Sequence, residues 1–223
     1  LIGFDAHDMT SKHFDSPGYL DNLHKSPRKR VAYLKGYFYE GIDKDISNNI
    51  DEQVSKLDEA GYEIEELDAP YDFQAAFVNQ RLIMAVEAAV FHQENFVSKA
   101  ELYRPKLRAM LEQGSQYDGL TYATALEARE QFRFDIANFA ENYDLIITPS
   151  TPEVAPGDLS TTGNPMFQGP WTAVGFPTIS IPSGISSGGM PIGLQMIGSP
   201  TDDLNLLQAA HELEQIIGFC EQP

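Results

Sequence analysis

The chain has 223 residues, 42% of them hydrophobic, enough to bury a sizeable core. Fifteen Lys and Arg against 33 Asp and Glu give a formal net charge of −18, which excludes a broad basic surface for phosphate backbones or anionic membranes. A single cysteine, Cys220, excludes an intrachain disulfide and a cysteine-based metal cluster within the chain. Together these lead us to expect a soluble cytoplasmic protein with neither nucleic acid nor membrane as partner.

The first residues, Leu1-Ile-Gly-Phe-Asp, have neither the basic start nor the apolar stretch of a secretory signal. They open without Met inside an apolar phrase, and the expectation is that upstream residues are missing or supplied by another chain. Residues 8–30 are polar and broken by Pro17, Gly18 and Pro27, so an irregular surface segment is expected. The basic cluster Pro27-Arg-Lys-Arg30 that closes it reads as a solvated strand entry rather than a targeting signal.

Arg30-Val-Ala-Tyr-Leu-Lys-Gly36 is a short apolar run ending at glycine and predicts a strand. Ile46, Ile50, Val54 and Leu57 then recur at helical spacing, and Gly61 offers the left-handed residue that ends such a helix. The alternation in Tyr62-Glu-Ile-Glu-Glu-Leu67 predicts a half-exposed strand, with Glu63, Glu65 and Glu66 on a solvated face. Strand, helix and strand in this order make a βαβ-like unit.

Residues 72–99 contain neither Gly nor Pro and carry an apolar stripe from Ala75 to Val90, which predicts one long helix. Pro105 near a start and Gly114 at an end frame a shorter helix. A third spans about residues 121–141, with Ala125, Ala128, Phe132, Ile136 and Phe139 on one face. Strands are then expected at residues 143–148, 178–181 and 192–197, with a proline- and glycine-rich loop after the first of them. A closing helix runs from Asp202, or from Thr201 as its cap, to Ile217. No repeat, low-complexity tract or linker divides the chain, so residues 1–223 are expected to form a single α/β domain with a mixed sheet flanked by helices.

Gly184-Ile-Ser-Ser-Gly-Gly189 invites a nucleophile reading, because glycine-flanked serines can present a hydroxyl among free backbone N–H groups. Its place between two strands makes it a hairpin turn instead. Of the lysines, Lys35 alone sits in an apolar run where desolvation would lower its pKa toward that of a base, and an edge-strand lysine explains it equally. His92 and His211 fall on predicted helices with no nucleophile-elbow phrase, so a Ser-His-Asp triad has no support. Asp5, His7, Asp8 and His13 lack the spacing of a zinc or calcium motif, and no metal is expected. No phosphate-binding loop or dinucleotide fingerprint is present either, and no organic cofactor is expected.

Several phrases in one order carry more information than any single residue: Gly3-Phe-Asp-Ala-His-Asp8, Glu59-Ala-Gly-Tyr-Glu-Ile64, Tyr143-Asp-Leu-Ile-Ile-Thr-Pro149, Ser160-Thr-Thr-Gly163, Trp171-Thr-Ala-Val-Gly-Phe-Pro177 and Pro191-Ile-Gly-Leu-Gln195. The ordered set, spanning nearly the whole chain, resembles the C-terminal portion of amidase signature enzymes. The resemblance implies a mixed sheet between helices and hydrolysis of a carboxylic amide by a serine nucleophile, aided by a cis-serine and a lysine. In the family those three residues precede the Gly3-Phe-Asp phrase, so no catalytic residue is assigned here and the chain by itself is expected to be inactive.

What the resemblance does assign is part of a pocket. Asn164, Met166, Phe167 and Trp171 are implied to line the substrate site, with Arg108 a further candidate for an acidic substrate group; the methionine and aromatic residues are equally explained as core filler. The missing N-terminal half, or a second copy of the chain, is the implied partner that would cover open sheet edges and an uncovered apolar face. The alternatives are a component resembling the A subunit of a tRNA-dependent amidotransferase, a non-catalytic binding or scaffold protein of the same fold, and a complete serine hydrolase using Ser186 or Ser187.

Overall fold

A computed structural model describes residues 3–24, 30–158 and 160–219. Cys220, the Pro27-Arg28-Lys29 part of the basic cluster, and Leu1 and Ile2 at the head of the chain lie outside the described residues. The elements in chain order are α1 (Tyr19–Asn22), β1 (Arg30–Lys35), α2 (Lys44–Glu59), β2 (Glu63–Asp68), α3 (Phe73–Lys99) and α4 (Pro105–Gly114). They are followed by α5 (Gly119–Ala140), β3 (Leu145–Pro149), α6 (Gly169–Val174), β4 (Thr178–Ile185), β5 (Pro191–Ile197) and α7 (Asp203–Ile217).

The five strands form one mixed sheet in the order β2-β1-β3-β5-β4. β1 pairs in parallel with both β2 and β3, whereas β5 runs antiparallel to β3 on one side and β4 on the other. The expected βαβ unit is therefore β1-α2-β2. Its helix ends as expected: Gly61 takes φ 88°, and the Tyr62 N–H returns to Leu57 O at 3.0 Å. Asp43, Asp72 and Asp118 cap α2, α3 and α5, each side chain accepting a backbone N–H of the first turn at 2.7–2.8 Å.

Strand alternation sends successive side chains to opposite faces and builds two cores. Val31 and Tyr33 of β1 and Leu145 and Ile147 of β3 join Ile181, Leu194 and Met196 under α2 and α7. Ala32, Leu34 and Ile146 lie on the other face, under Phe73 of α3, Phe132 and Ile136 of α5 and Trp171 of α6. This second core is aromatic: Phe73 meets Phe38, Phe132 and Trp171 at centroid distances of 5.0, 5.2 and 5.1 Å, all edge-on or tilted. Such pairs add about 0.5–1.5 kcal/mol each beyond the burial of their surface.

Four local expectations need correction. Residues 8–30 include the short helix α1, and the loop after β3 contains α6. α6 is only six residues long, too short for a periodic signal, and it is held by the burial of Trp171 and Val174 rather than by its propensity. Asp202 precedes α7 as expected but gives it no side-chain cap, because its carboxylate accepts from the Asn205 side-chain amide. Lys35 is not on an edge strand, since β1 is flanked on both sides. The edges are β2, guarded by Glu63, Glu65, Glu66 and Asp68, and β4.

α3 and α4 touch where neither has bulk. A Cβ added at buried Gly114 would stand 2.0 Å from the carbonyl oxygen of Ala85, whereas at Gly119 it would meet nothing within 4 Å. Gly114→Ala should therefore lower stability by about 1–3 kcal/mol, read from the urea midpoint, while Gly119→Ala leaves it unchanged or raises it.

Candidate functional site

The strand alternation that packs Ile181, Leu194 and Met196 into the first core turns Ser180 and Pro182 of β4, and Gly193 and Gln195 of β5, to the opposite face. Near β1 that face is apolar and covered by helices. Beyond Ile146 of β3 it becomes polar, with Thr148 and then Ser150 in line with Gln195 and Ser180. The loop after β3 folds back over this polar end and closes a cleft of about 450 Å³ lined by Ser150, Asn164, Gln168, Ser180 and Gly193, with prolines around its rim.

Gly193 sets the geometry of the floor. Ser150 and Ser180 flank β5 from either side, and their hydroxyls meet at 2.6 Å. A Cβ at Gly193 would fall 2.6 Å from Ser180 Oγ and 2.8 Å from Ser150 Oγ, so the contact needs a residue without a side chain at that point. The Ser150 N–H is held by Gly193 O at 3.1 Å, and the Gln168 side-chain amide donates to Ser150 O. Gln195, 3% exposed, donates from Nε2 to Thr148 Oγ1 at 2.9 Å and to Phe167 O at 3.2 Å, fastening the loop to the sheet. A buried amide so satisfied costs little and fixes the register of three segments.

The four residues implied as substrate contacts divide into two places. Asn164 lines the cleft, and its Oδ1 accepts the Met166 N–H at 3.1 Å, which turns the loop. Phe167 and Trp171 are fully buried among Phe38, Phe73 and Phe132, and Met166 packs against the same cluster. Met166 O accepts from the Tyr37 hydroxyl at 3.0 Å. Buried Trp171 Nε1 has no hydrogen-bond partner among the described residues. Arg108 lies on α4, away from the cleft lining, in an exposed pair with Glu112 at 3.1 Å. Ser150, Gln168, Ser180 and Gly193 were missed by sequence reasoning, although the alternation of Ile179 and Ile181 with Ser180 and Pro182 carries the signal for two positions.

The serines at 186 and 187 form the β4–β5 turn. Ser186 N donates to Met190 O at 2.8 Å and its hydroxyl accepts from Met190 N at 3.0 Å, while Ser187 N donates to Asp45 Oδ2 at 2.6 Å. Among the described residues neither serine is hydrogen-bonded to a histidine or lysine. His92 bonds to the Tyr103 hydroxyl, and His211 to His24 and Gln215. The carboxylates of Asp5 and Asp8 are occupied by nearby backbone N–H groups, and among the described residues no group of three or more His, Cys, Asp or Glu is arranged to hold a metal ion.

Lys35 is committed elsewhere too. Its Nζ lies 3.2 Å from Asp51 Oδ1 and 3.1 Å from Glu66 Oε2, over the rings of Tyr33 and Tyr39. Burial works to lower its pKa, but hydrogen bonds to Glu66 and Asp51 outweigh it and hold the ammonium above its ordinary value. An ammonium held above its ordinary pKa is a poor general base near neutral pH. The cleft thus offers hydroxyl and amide groups able to hold an amide's carbonyl or N–H; Glu153 also lines it, and among the described residues its lining holds no histidine or lysine.

A family model for amidases matches residues 1–207. The chain belongs to the amidase family. Its sequence is 28% identical to the A subunit of the glutamyl-tRNA(Gln) amidotransferase of Macrococcus caseolyticus, covering 100% of this chain and 52% of the relative. Against the same subunit of Geotalea daltonii it is 29% identical, covering 96% and 51%. Among solved structures, 6-aminohexanoate cyclic dimer hydrolase bound to its substrate superposes with a TM-score of 0.80 at 21% identity, over 97% of this chain and 51% of that one. A bacterial aryl acylamidase of the amidase signature family superposes at 0.79 and 17% identity, over 97% and 49%. The fold is thus the amidase signature fold, and this member of the family spans about half the length of the curated relatives it matches.

Two outcomes follow from this geometry. Gly193→Ala should break the Ser150–Ser180 contact and cost about 1–3 kcal/mol, and the triple substitution G193A/S150A/S180A should recover part of that loss in urea denaturation. The second concerns alkaline pH. Burial, then hydrogen bonds to Asp51 and Tyr39, pushes the Tyr33 phenol up, burial also raises Tyr39, and burial with the charge of Asp72 pushes Tyr37 up to about 12. Because each folded-state pKa lies above its unfolded value near 10, this stabilisation is complete below about pH 10 and is lost as pH rises above it. The urea midpoint should fall above about pH 10, and Tyr33→Phe should flatten the fall.

Proposed function

We propose that this chain is the C-terminal portion of an amidohydrolase that cleaves carboxylic amides, with its serine nucleophile, cis-serine and lysine on the preceding part of the parent protein. The observation that carries this reading is the family match over residues 1–207 in a chain spanning about half of its relatives. The cleft supports it, since Ser150 and Ser180 are hydrogen-bonded to one another and among the described residues no histidine or lysine lines it. In this reading residues 1–223 act as one domain, without metal or organic cofactor, in the cytoplasm. Among the described residues no helix is long and apolar enough to cross a membrane.

Asn164, with Ser150, Gln168 and Ser180, forms one wall of the substrate pocket. Phe167, Trp171 and Met166 stand behind that wall and hold the loop in place. The rest of the pocket comes from the partner segment, which also covers the β4 edge and exposed apolar residues of α3 such as Phe91 and Val97. A second reading, favoured by 26–29% identity to amidotransferase A subunits across at least 96% of the chain, is a component of that kind in a tRNA-dependent amidotransferase.

Ammonia release from a panel of primary amides tests the proposal, with the chain alone and joined to its upstream half. Hydrolysis is expected only from the joined protein, and there Asn164→Ala or Ser180→Ala should lower kcat/KM about tenfold, the worth of one or two hydrogen bonds. Hydrolysis by the chain alone, lost in S186A or S187A, would contradict it. Release from glutamine that requires charged tRNA and further subunits would establish the second reading instead.

A further inference from the structure

A second groove, of about 600 Å³, runs between α3 and α4 and shares no lining residue with the cleft. Its walls are Val78, Leu82 and Ala85 of α3 and Ala109 and Met110 of α4, and its polar groups are Arg81, Lys106, Gln113 and Tyr117. The close approach of the helices at Gly114 bounds it, because a side chain there would strike the Ala85 backbone. The charge of this lining is unusual for the chain. Acidic residues outnumber basic ones by 33 to 15 overall, yet the groove holds two cations and no carboxylate.

The cations are not equally engaged. Lys106 Nζ donates to Ser160 O at 2.6 Å. Gln113 Nε2 donates to the Tyr117 hydroxyl at 2.9 Å, so those two groups satisfy one another. Arg81 is different: its guanidinium stands 5.9 Å above the Phe77 ring, and among the described residues it has neither a hydrogen bond nor an ion pair. A planar fork of donors beside an apolar trough matches a carboxylate on an apolar body, the fork taking both oxygens and the trough taking the hydrocarbon. We propose that the groove between α3 and α4 binds a small monocarboxylate with an apolar tail, its carboxylate on Arg81 and its tail along Leu82, Ala109 and Met110. The field of a strongly acidic protein repels free anions, so the tail is needed to hold the ligand and the guanidinium to select its head group.

Calorimetric titration of the 223-residue chain with octanoate, octanol, octylammonium and acetate tests this. Saturable one-to-one binding is expected for octanoate, with octanol and octylammonium at least tenfold weaker and acetate undetectable. Arg81→Gln should weaken octanoate at least tenfold, and Ala109→Trp, which fills the trough at an exposed position, should abolish binding with the circular-dichroism spectrum unchanged. Equal binding of octanol and octanoate would overturn the proposal, as would no octanoate binding or octanoate affinity unchanged in both variants. Should Ala109→Trp fail to fold, the surface substitution Arg81→Gln alone decides between the outcomes.

Discussion

The missing side chain at Gly193 is the constraint on which the candidate site depends. β5 runs antiparallel between β3 and β4, and a side chain at Gly193 would strike the hydroxyls of Ser150 and Ser180 that flank it. With none there, Ser150 and Ser180 close over the strand at 2.6 Å, and the loop that follows β3 can settle on the sheet. Gln168 and Gln195 then fasten that loop by its backbone. The cleft is the space left between the fastened loop and the exposed face of the β4–β5 hairpin.

The same alternation explains why one sheet serves both as core and as the floor of the cleft. On the face under α2 and α7, the apolar side chains of β1, β3, β4 and β5 are continuous. On the other face the apolar positions give way to Thr148, Ser150, Gln195 and Ser180 where α3, α5 and α6 no longer cover it. The aromatic cluster around Trp171 holds α6 against the sheet at that boundary. Loop polarity and core packing are in this way set by neighbouring residues of the same segment, Asn164 in the cleft and Phe167 in the core.

Most elements can be read from periodicity, because their apolar residues face one side only. Ile46, Ile50, Val54 and Leu57 mark α2, and the Gly/Pro-free run marks α3. The hairpin nature of Ser186 and Ser187 is legible for a similar reason, as Gly189 with φ 82° supplies the turn that two facing strands require. What is not legible depends on contacts distant in sequence. α6 exists because Trp171 is buried against Phe38 and Phe73, residues far upstream in the chain. Lys35 loses its promise as a base because Asp51 and Glu66 converge on it from another helix and strand. For the cleft, the ordered family phrases point to the segment that contributes Asn164 to its lining, and only the three-dimensional alternation separates that residue from Phe167 and Trp171, which are buried in the core.

The central claim of the proposal is that this chain supplies a wall of the site and not a nucleophile. Ser150 and Ser180 are hydrogen-bonded to one another and the Ser186 hydroxyl to the turn backbone, while Lys35 in the apolar run is held above its ordinary pKa by Glu66 and Asp51. A fluorophosphonate probe, which labels only activated serines, measures this directly by intact mass. No adduct should form on the isolated chain under conditions that fully label the complete enzyme. Stoichiometric modification of Ser186, Ser187, Ser150 or Ser180 in the isolated chain would contradict the account.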